Sequence, residues 1–309
     1  MRDGTPGRSA SFVRVIVAYC LAFVAAGAWL TWGPDSGRLL LDTFIADVWA
    51  TLVIFGFSRA FSNSSMYDAY WSVIPPALLI YWWAAGDAGI AAAHCWLLAM
   101  VVGVWAVRLT ANWAVGWPGL RHEDWRYSML RSRGGRAELV VDLVAIHLVP
   151  TVQVFVGMIP AYVAVTHTGE TVVWLTVVAT VVGFGSVAIE YLADRRLHRF
   201  VADRAPGAVL DTGLWSWSRH PNYFGEFGFW VSIALFGIAA VPGDWWWLFV
   251  GALVMLAMFL GASIPMMEAR SLDRRPGYQD VIDRVPMFVP RPPRGAGRAD
   301  PERRGTASV

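Results

Sequence analysis

The chain contains no lysine: all 25 of its basic residues are arginine. That excludes a Schiff-base lysine and a phosphate-loop lysine. Cysteine is nearly as scarce. Cys20 and Cys95 each sit inside an apolar run, where they read as packing residues, not as a disulfide framework or metal ligands. Charge is short as well, at 16% of residues, where a globular domain carries roughly 25%. The net charge of +2 is too small, and its carriers too local, for a nucleic-acid partner. No GxGxxG follows a strand and no GxxxxGK[ST] occurs, so neither a Rossmann nor a P-loop nucleotide site is available. The six histidines show no HxxxH, HxxEH or HxxH spacing, which argues against a metal site.

What abounds is apolar. Hydrophobic residues make up 56% of the chain, tryptophan occurs 18 times, and the mean hydropathy is +0.47. Long apolar runs with this composition predict an all-α, polytopic membrane protein of seven or eight spans embedded in a bilayer. The runs cover residues 13–32, 39–57, 70–86, 88–107, 139–163, 171–192, 224–241 and 244–264. The first is followed by Trp32, Gly33 and Pro34, not by a small-residue cleavage site, and reads as a retained span. Pro75 and Pro76 fall inside the third run and are expected to kink it. Only Gly86 and Asp87 separate the third run from the fourth. The organisation predicted is a tail over 1–12, a membrane domain over 13–290 and a disordered Pro/Gly-rich tail over 291–309.

Arginine also sets the orientation. With the amino terminus inside, Arg2, Arg8, Arg14, Arg59, the cluster from Arg121 to Arg136, the cluster from Arg195 to Arg219 and the carboxyl tail all lie on one side. The other side keeps Arg38 and the acids Asp35, Asp87, Glu170 and Asp244. Positive residues concentrate on the cytoplasmic face, so both termini are predicted to be cytosolic.

That same face collects the unusual polar residues. One segment runs from Asn63 through Tyr67, Asp68 and Tyr70. A second runs from Arg108 through Asn112 to His122, Glu123 and Asp124. A third runs from Glu190 through Asp194 and Arg199 into Gly213–Glu226, which reads GLWSWSRHPNYFGE. A fourth carries Glu268, Arg270 and Tyr278. A dinucleotide with a 2′-phosphate asks for arginines, for amide and carboxylate partners, and for aromatic surfaces. All are present. The competing readings are topological arginines, interfacial tryptophans and a helix cap at His122–Asp124. Deeper in the spans, Asp42 with Asp47 and Asp142 with His147 stand five apart, off a single helical stripe.

SRHPNYFGE, IEYLADRRLHRF, NSSMYDAYWS, HEDWRY and SIPMMEARSLDRRPGYQDVIDRVPMFVP together resemble the bacterial branch of the steroid 5-alpha-reductase superfamily over about residues 13–290. The resemblance implies an NADPH-dependent membrane oxidoreductase that reduces carbon–carbon double bonds of a lipid-like substrate, here in a bacterial plasma membrane. It assigns Asn222 and Glu226 to the family's NxxGE element beside the cofactor, and Asp194, Arg108 and Tyr278 to further cofactor contacts. Charge and position add Asn112, Arg199, Arg219, His220 and Tyr223 to the cofactor set. Tyr67 or Tyr70, oriented by Asp68, is expected to donate to the substrate carbonyl. The steroid-holding tyrosine of the family would fall near Trp105. Isoprenylcysteine carboxyl methyltransferases, which use S-adenosylmethionine, share RHPxYxG, and Asn222 and Glu226 favour the reductase over them. A scaffold that retains a dead pocket is the non-enzymatic alternative.

Overall fold

A computed structural model describes residues 7–86 and 93–292 of the chain. Every regular element among them is helical. Seven helical runs among the described residues are long and apolar enough to cross a membrane, so the protein is an all-α integral membrane protein. The runs are α1 (Arg8–Trp32), α2 (Leu39–Ala60), α4 (Ala93–Gly116), the succession Trp125–Thr166, α8 (Val173–Asp203), α9 (Pro221–Ala240) and the succession Pro242–Arg274. An eighth helix, α3 (Tyr70–Ala85), continues through Pro75 and Pro76. Its 16 residues reach about 24 Å at 1.5 Å per residue, short of a full bilayer core.

Several helices outrun their apolar runs. α4 continues past Val107 to Gly116, and α8 past Leu192 to Asp203. Hydropathy marks where lipid ends, whereas backbone hydrogen bonding lets a helix continue into water. The turn expected at Gly86–Asp87 and the carboxyl tail from residue 293 lie outside the described residues.

Two succession points depart from α-geometry. α5 (Trp125–Gly134) leads through a short turn into α6 (Glu138–Val141), then a π-helical stretch (Asp142–Leu148), then α7 (Val149–Thr166). α10 (Trp245–Leu248) and α11 (Val250–Met258) lead into a second π-stretch (Phe259–Ser263), which continues as α12 (Ile264–Arg274) and is followed by α13 (Tyr278–Arg284). Such i→i+5 turns place an extra residue in a helix and shift the faces on either side of it.

The chain divides into two units. Among the described residues, the first comprises 7–86, 93–184 and 229–255, the second 185–228 and 256–292. In the first, α1 packs on α2, and α3 packs on α4 and α7. Its core is aromatic. Trp105 stacks on Phe229 with ring centroids 4.2 Å apart and is fully buried. Trp82 donates to Thr43 Oγ1 at 2.9 Å and packs edge-on against Phe155 and Tyr162. α7 and α11 meet backbone to backbone: a methyl group on Gly251 would lie 2.6 Å from Gly157 Cα. Small residues permit such close approach between membrane helices.

The second unit gathers the end of α8, the loop into α9, the first turns of α9, and α12 with α13. Tyr278, Val281 and Val285 form its small core with Val209, Leu272 and Ile282. The stretch after α13 is tied back by main-chain bonds from Arg219 to Pro286 and from Arg291 to Trp217, both 2.9 Å.

Candidate functional site

In the second unit, Glu190 and Asp194 stand four apart on α8, and Asn222 and Glu226 four apart on α9. Each pair therefore shares one face of its helix. Gly225 lets the two helices close on each other, because a Cβ there would fall 2.6 Å from Glu190 Cγ and 2.8 Å from the Ser186 carbonyl. At that approach the Asn222 amide donates to Asp194 Oδ1 at 3.3 Å. Glu190, Asp194 and Glu226 are all buried. The carbonyl oxygen of the Asn222 side chain is buried as well and has no partner among the described residues. The bare amide acceptor lies beside Asp194 where the two helices close, and a buried acceptor left without a hydrogen bond is costly unless a ligand uses it.

The residues just before α9 are built differently. Arg219 donates through Nε to Glu268 Oε1 at 2.7 Å, and through Nη1 to the carbonyls of Ile282 and Val285 at 2.9 and 2.7 Å. His220 Nε2 also meets Glu268 Oε1, at 3.0 Å, while its Nδ1 is buried without a partner. Arg219 is thereby a clasp that fastens α12 and α13 to the start of α9, and its guanidinium is already engaged. Tyr223 donates to Met267 Sδ at 3.3 Å and packs on Phe259, within the second π-stretch.

Arg219, His220 and Tyr278 share the lining of a mostly apolar cavity of about 180 Å³ with Leu197, Phe200 and Trp215. Tyr278 is buried, and burial, reinforced by the Glu268 charge, pushes its phenol up to about 12. Arg199 is exposed on α8. Asp194, Arg199, Arg219, His220, Asn222, Tyr223, Glu226 and Tyr278 therefore all belong to the second unit. Arg108 and Asn112, four apart on α4, belong to the first. Glu190 was not singled out from the sequence as a ligand, although its i, i+4 spacing to Asp194 was the available sign.

The tyrosines expected to act on substrate also lie in the first unit, and their orientation corrects the sequence reading. Asp68 orients neither. Tyr70 donates to Asp47 Oδ1 at 2.8 Å, Tyr67 shares a hydrogen bond with Thr151 at 2.8 Å, and Asp68 instead receives the Tyr127 hydroxyl. The reason is local geometry. Tyr67 and Tyr70 are three apart across a tight turn and share a face, with rings 5.5 Å apart, while Asp68 points to another side. Both tyrosines are fully buried, as is Asp47, whose Oδ2 has no partner.

A polar cluster next to them was also illegible as a unit. Asp142 is buried and accepts from Ser64 Oγ at 2.7 Å and from Arg59 at 2.9 Å. The π-turn carries His147 back over it, so that His147 Nδ1 reaches the Asp142 carbonyl at 2.8 Å. Arg131 pairs with Glu123 and donates to Ser64 at 3.1 Å. Asp124 caps α5 by accepting from the Arg126 amide at 2.8 Å, the cap foreseen for this segment, and Arg126 holds its carboxyl below the usual range despite burial.

Residues 54–285 match the family model described as a protein of unknown function, DUF1295. The chain belongs to this family. It is a domain of the steroid 5-alpha-reductase-like group. A relative in Schizosaccharomyces pombe, described as Uncharacterized protein C594.04c, is 27% identical over 265 residues, covering 77% of this chain and 76% of its own. No solved structure matches the chain.

Proposed function

We propose that this DUF1295 protein is a membrane-embedded, NADPH-dependent reductase of a carbon–carbon double bond in an isoprenoid- or steroid-like lipid. In this reading it lies in a plasma membrane with both termini in the cytosol, and α8 and α9 supply the cofactor grip. The observation that carries it is the Oδ1 of Asn222, buried and without a partner among the described residues, with the amide held by Asp194, Glu226 one turn further along α9 and Glu190 one turn back along α8. A carboxamide acceptor beside several carboxylates suits a ligand rich in N–H and O–H donors. A nicotinamide amide and ribose hydroxyls are such donors.

When bound, NADPH would supply hydride for an electron-poor alkene carbon. The chain's own residues do the rest. Asn222 and Asp194 orient the amide end, and Glu226 and Glu190 accept from hydroxyls. Gly225 keeps the helices close enough for both. A phenol of the Tyr67–Tyr70 pair is assigned to polarise the substrate carbonyl, where negative charge develops. Asp47 is the group that positions Tyr70.

Binding separates this reading from its rivals. Purified protein in detergent is titrated with NADPH and, separately, with S-adenosylmethionine, while thermal unfolding is followed. At a hundredfold excess over Kd, a ligand of the native state stabilises by about 2.7 kcal/mol. NADPH is expected to stabilise, and Asn222→Ala to weaken that response. Stabilisation by S-adenosylmethionine alone assigns the site to methyl transfer, and stabilisation by neither leaves the scaffold; each result defeats the reductase.

A further inference from the structure

The clasp around Arg219 leaves a question about charge. A phosphorylated ligand needs guanidinium groups that are not already engaged, and Arg219 is not one of them. Three others are. Arg204, Arg274 and Arg275 line an open cleft of about 300 Å³ with the Ala205–Ala208 turn, in which Gly207 takes φ +79°. No carboxylate lines this cleft.

Arg204 follows the last residue of α8, Arg274 closes α12, and Arg275 is the next residue. Two helix C-termini thus bring like charges together. The strain is visible at Arg275, whose guanidinium is made less basic by burial and by the charges of Arg204 and Arg274. Arg204 and Arg275 also line the apolar cavity that contains Tyr278, Trp215 and Phe200, so the cationic cleft and the apolar cavity adjoin.

We propose that Arg204, Arg274 and Arg275 form a binding site for a phosphate monoester whose organic body lies in the adjoining apolar cavity. A phosphate dianion relieves the mutual repulsion of the three cations and offers oxygens for forked, charge-assisted hydrogen bonds. Two sources carry this chemistry. One is a nucleotide phosphate such as the 2′-phosphate of NADPH, with its base in the cavity; this form rests on the reductase reading above. The other is a phosphomonoester lipid headgroup with its chain in the cavity. The anion itself is the same in both.

The test uses the full-length protein in detergent and in nanodiscs. One arm measures binding of 2′-AMP against adenosine, and of NADPH against NADH. The other compares nanodiscs containing phosphatidic acid with nanodiscs of phosphatidylcholine alone. The double variant Arg204→Gln/Arg275→Gln removes two of the three cations, and each lost contact to an anion lowers affinity roughly tenfold. The expected result is a loss on the order of a hundredfold in one arm. Selective, variant-sensitive binding of 2′-AMP over adenosine establishes the site with a nucleotide source; selective, variant-sensitive binding of phosphatidic acid establishes it with a lipid source. Arg274→Gln alters only an exposed side chain and serves if the double variant does not fold, with roughly a tenfold loss expected. Phosphate selectivity in neither arm, or selectivity that the variants leave intact, overturns the site. The reductase reading fails separately, through NADPH giving no stabilisation while phosphate binding persists.

Discussion

Arg219 and Glu268 are 49 residues apart in sequence and 2.7 Å apart in space, and both side chains are largely withdrawn from solvent. Removing one partner of a buried pair leaves an uncompensated charge and costs about 3–5 kcal/mol. Glu268→Ala and Arg219→Ala are each expected to lower thermal stability by that order. Arg219→Lys should recover little, because a single ammonium cannot reach the carboxylate and the carbonyls of Ile282 and Val285 together. The double variant Arg219→Met/Glu268→Leu should be more stable than either single alanine variant. Unfolding midpoints in detergent decide this, and single losses that simply add in the double variant would remove the clasp.

The Tyr70–Asp47 pair predicts an asymmetry between the two tyrosines. Tyr70→Phe strips Asp47 of the one hydrogen-bond partner it has among the described residues, whereas Tyr67→Phe leaves Thr151 still bonded to Thr51 and to the His147 carbonyl. The first should therefore cost about 1–3 kcal/mol and the second at most about 1 kcal/mol. Once a substrate is in hand, Tyr70→Phe is expected to lower kcat by roughly 10²–10⁴ with affinity for NADPH unchanged. An undiminished kcat in both variants would remove these phenols from the reaction.

Asp68 should make stability fall as pH rises. Burial pushes its carboxyl from the ordinary value up to about 7, and the Tyr127 hydrogen bond pulls back only in part. Between the unfolded value, about 4, and 7, the native state binds the proton more tightly than the unfolded chain does. The stabilisation is therefore full below pH 4 and lost as pH passes through 7. Melting temperatures across pH 4–8 should decline with wild-type protein and decline less with Asp68→Asn. Parallel curves would show that Asp68 titrates normally.

Gly251 should tolerate nothing larger than hydrogen. A methyl group there meets Gly157 Cα at 2.6 Å and the Val156 carbonyl at 2.7 Å, both main-chain atoms that cannot turn aside. Gly251→Ala is expected to cost about 1–3 kcal/mol by overpacking. Gly27→Ala, where nothing lies within reach, should be close to neutral and serves as the control. Proteolysis rates in detergent report both.

The membrane fold was legible from hydropathy because lipid demands long apolar helices and little else. Helix ends were not, since the polar ends of α4 and α8 are held by backbone bonds that hydropathy does not register. In the candidate site, the i, i+4 pairing of Asn222 with Glu226 follows from the spacing in SRHPNYFGE alone. The fastening of Arg219 to Glu268 depends on how α12 returns to α9, which no local pattern encodes. Asp142 and His147 were placed on different faces because 3.6 residues per turn was assumed, and the π-turn breaks that assumption. Asp68 was preferred over Asp47 as the partner of the tyrosines because it is adjacent in sequence, whereas tertiary packing brings the partner from α2.

The π-stretch at Asp142–Leu148 makes the register of the whole Trp125–Thr166 succession hang on one surplus amino acid. Deleting a single residue between 143 and 146 would let α6 run into α7 as ordinary helix, at the loss of only one apolar side chain. It would also swing everything on the amino-terminal side by about 100°. Asp142 would leave Ser64 and Arg59, and α5 would carry Tyr127 away from Asp68. A chain shortened there would still insert as a membrane helix, yet it would meet its neighbours with the wrong face.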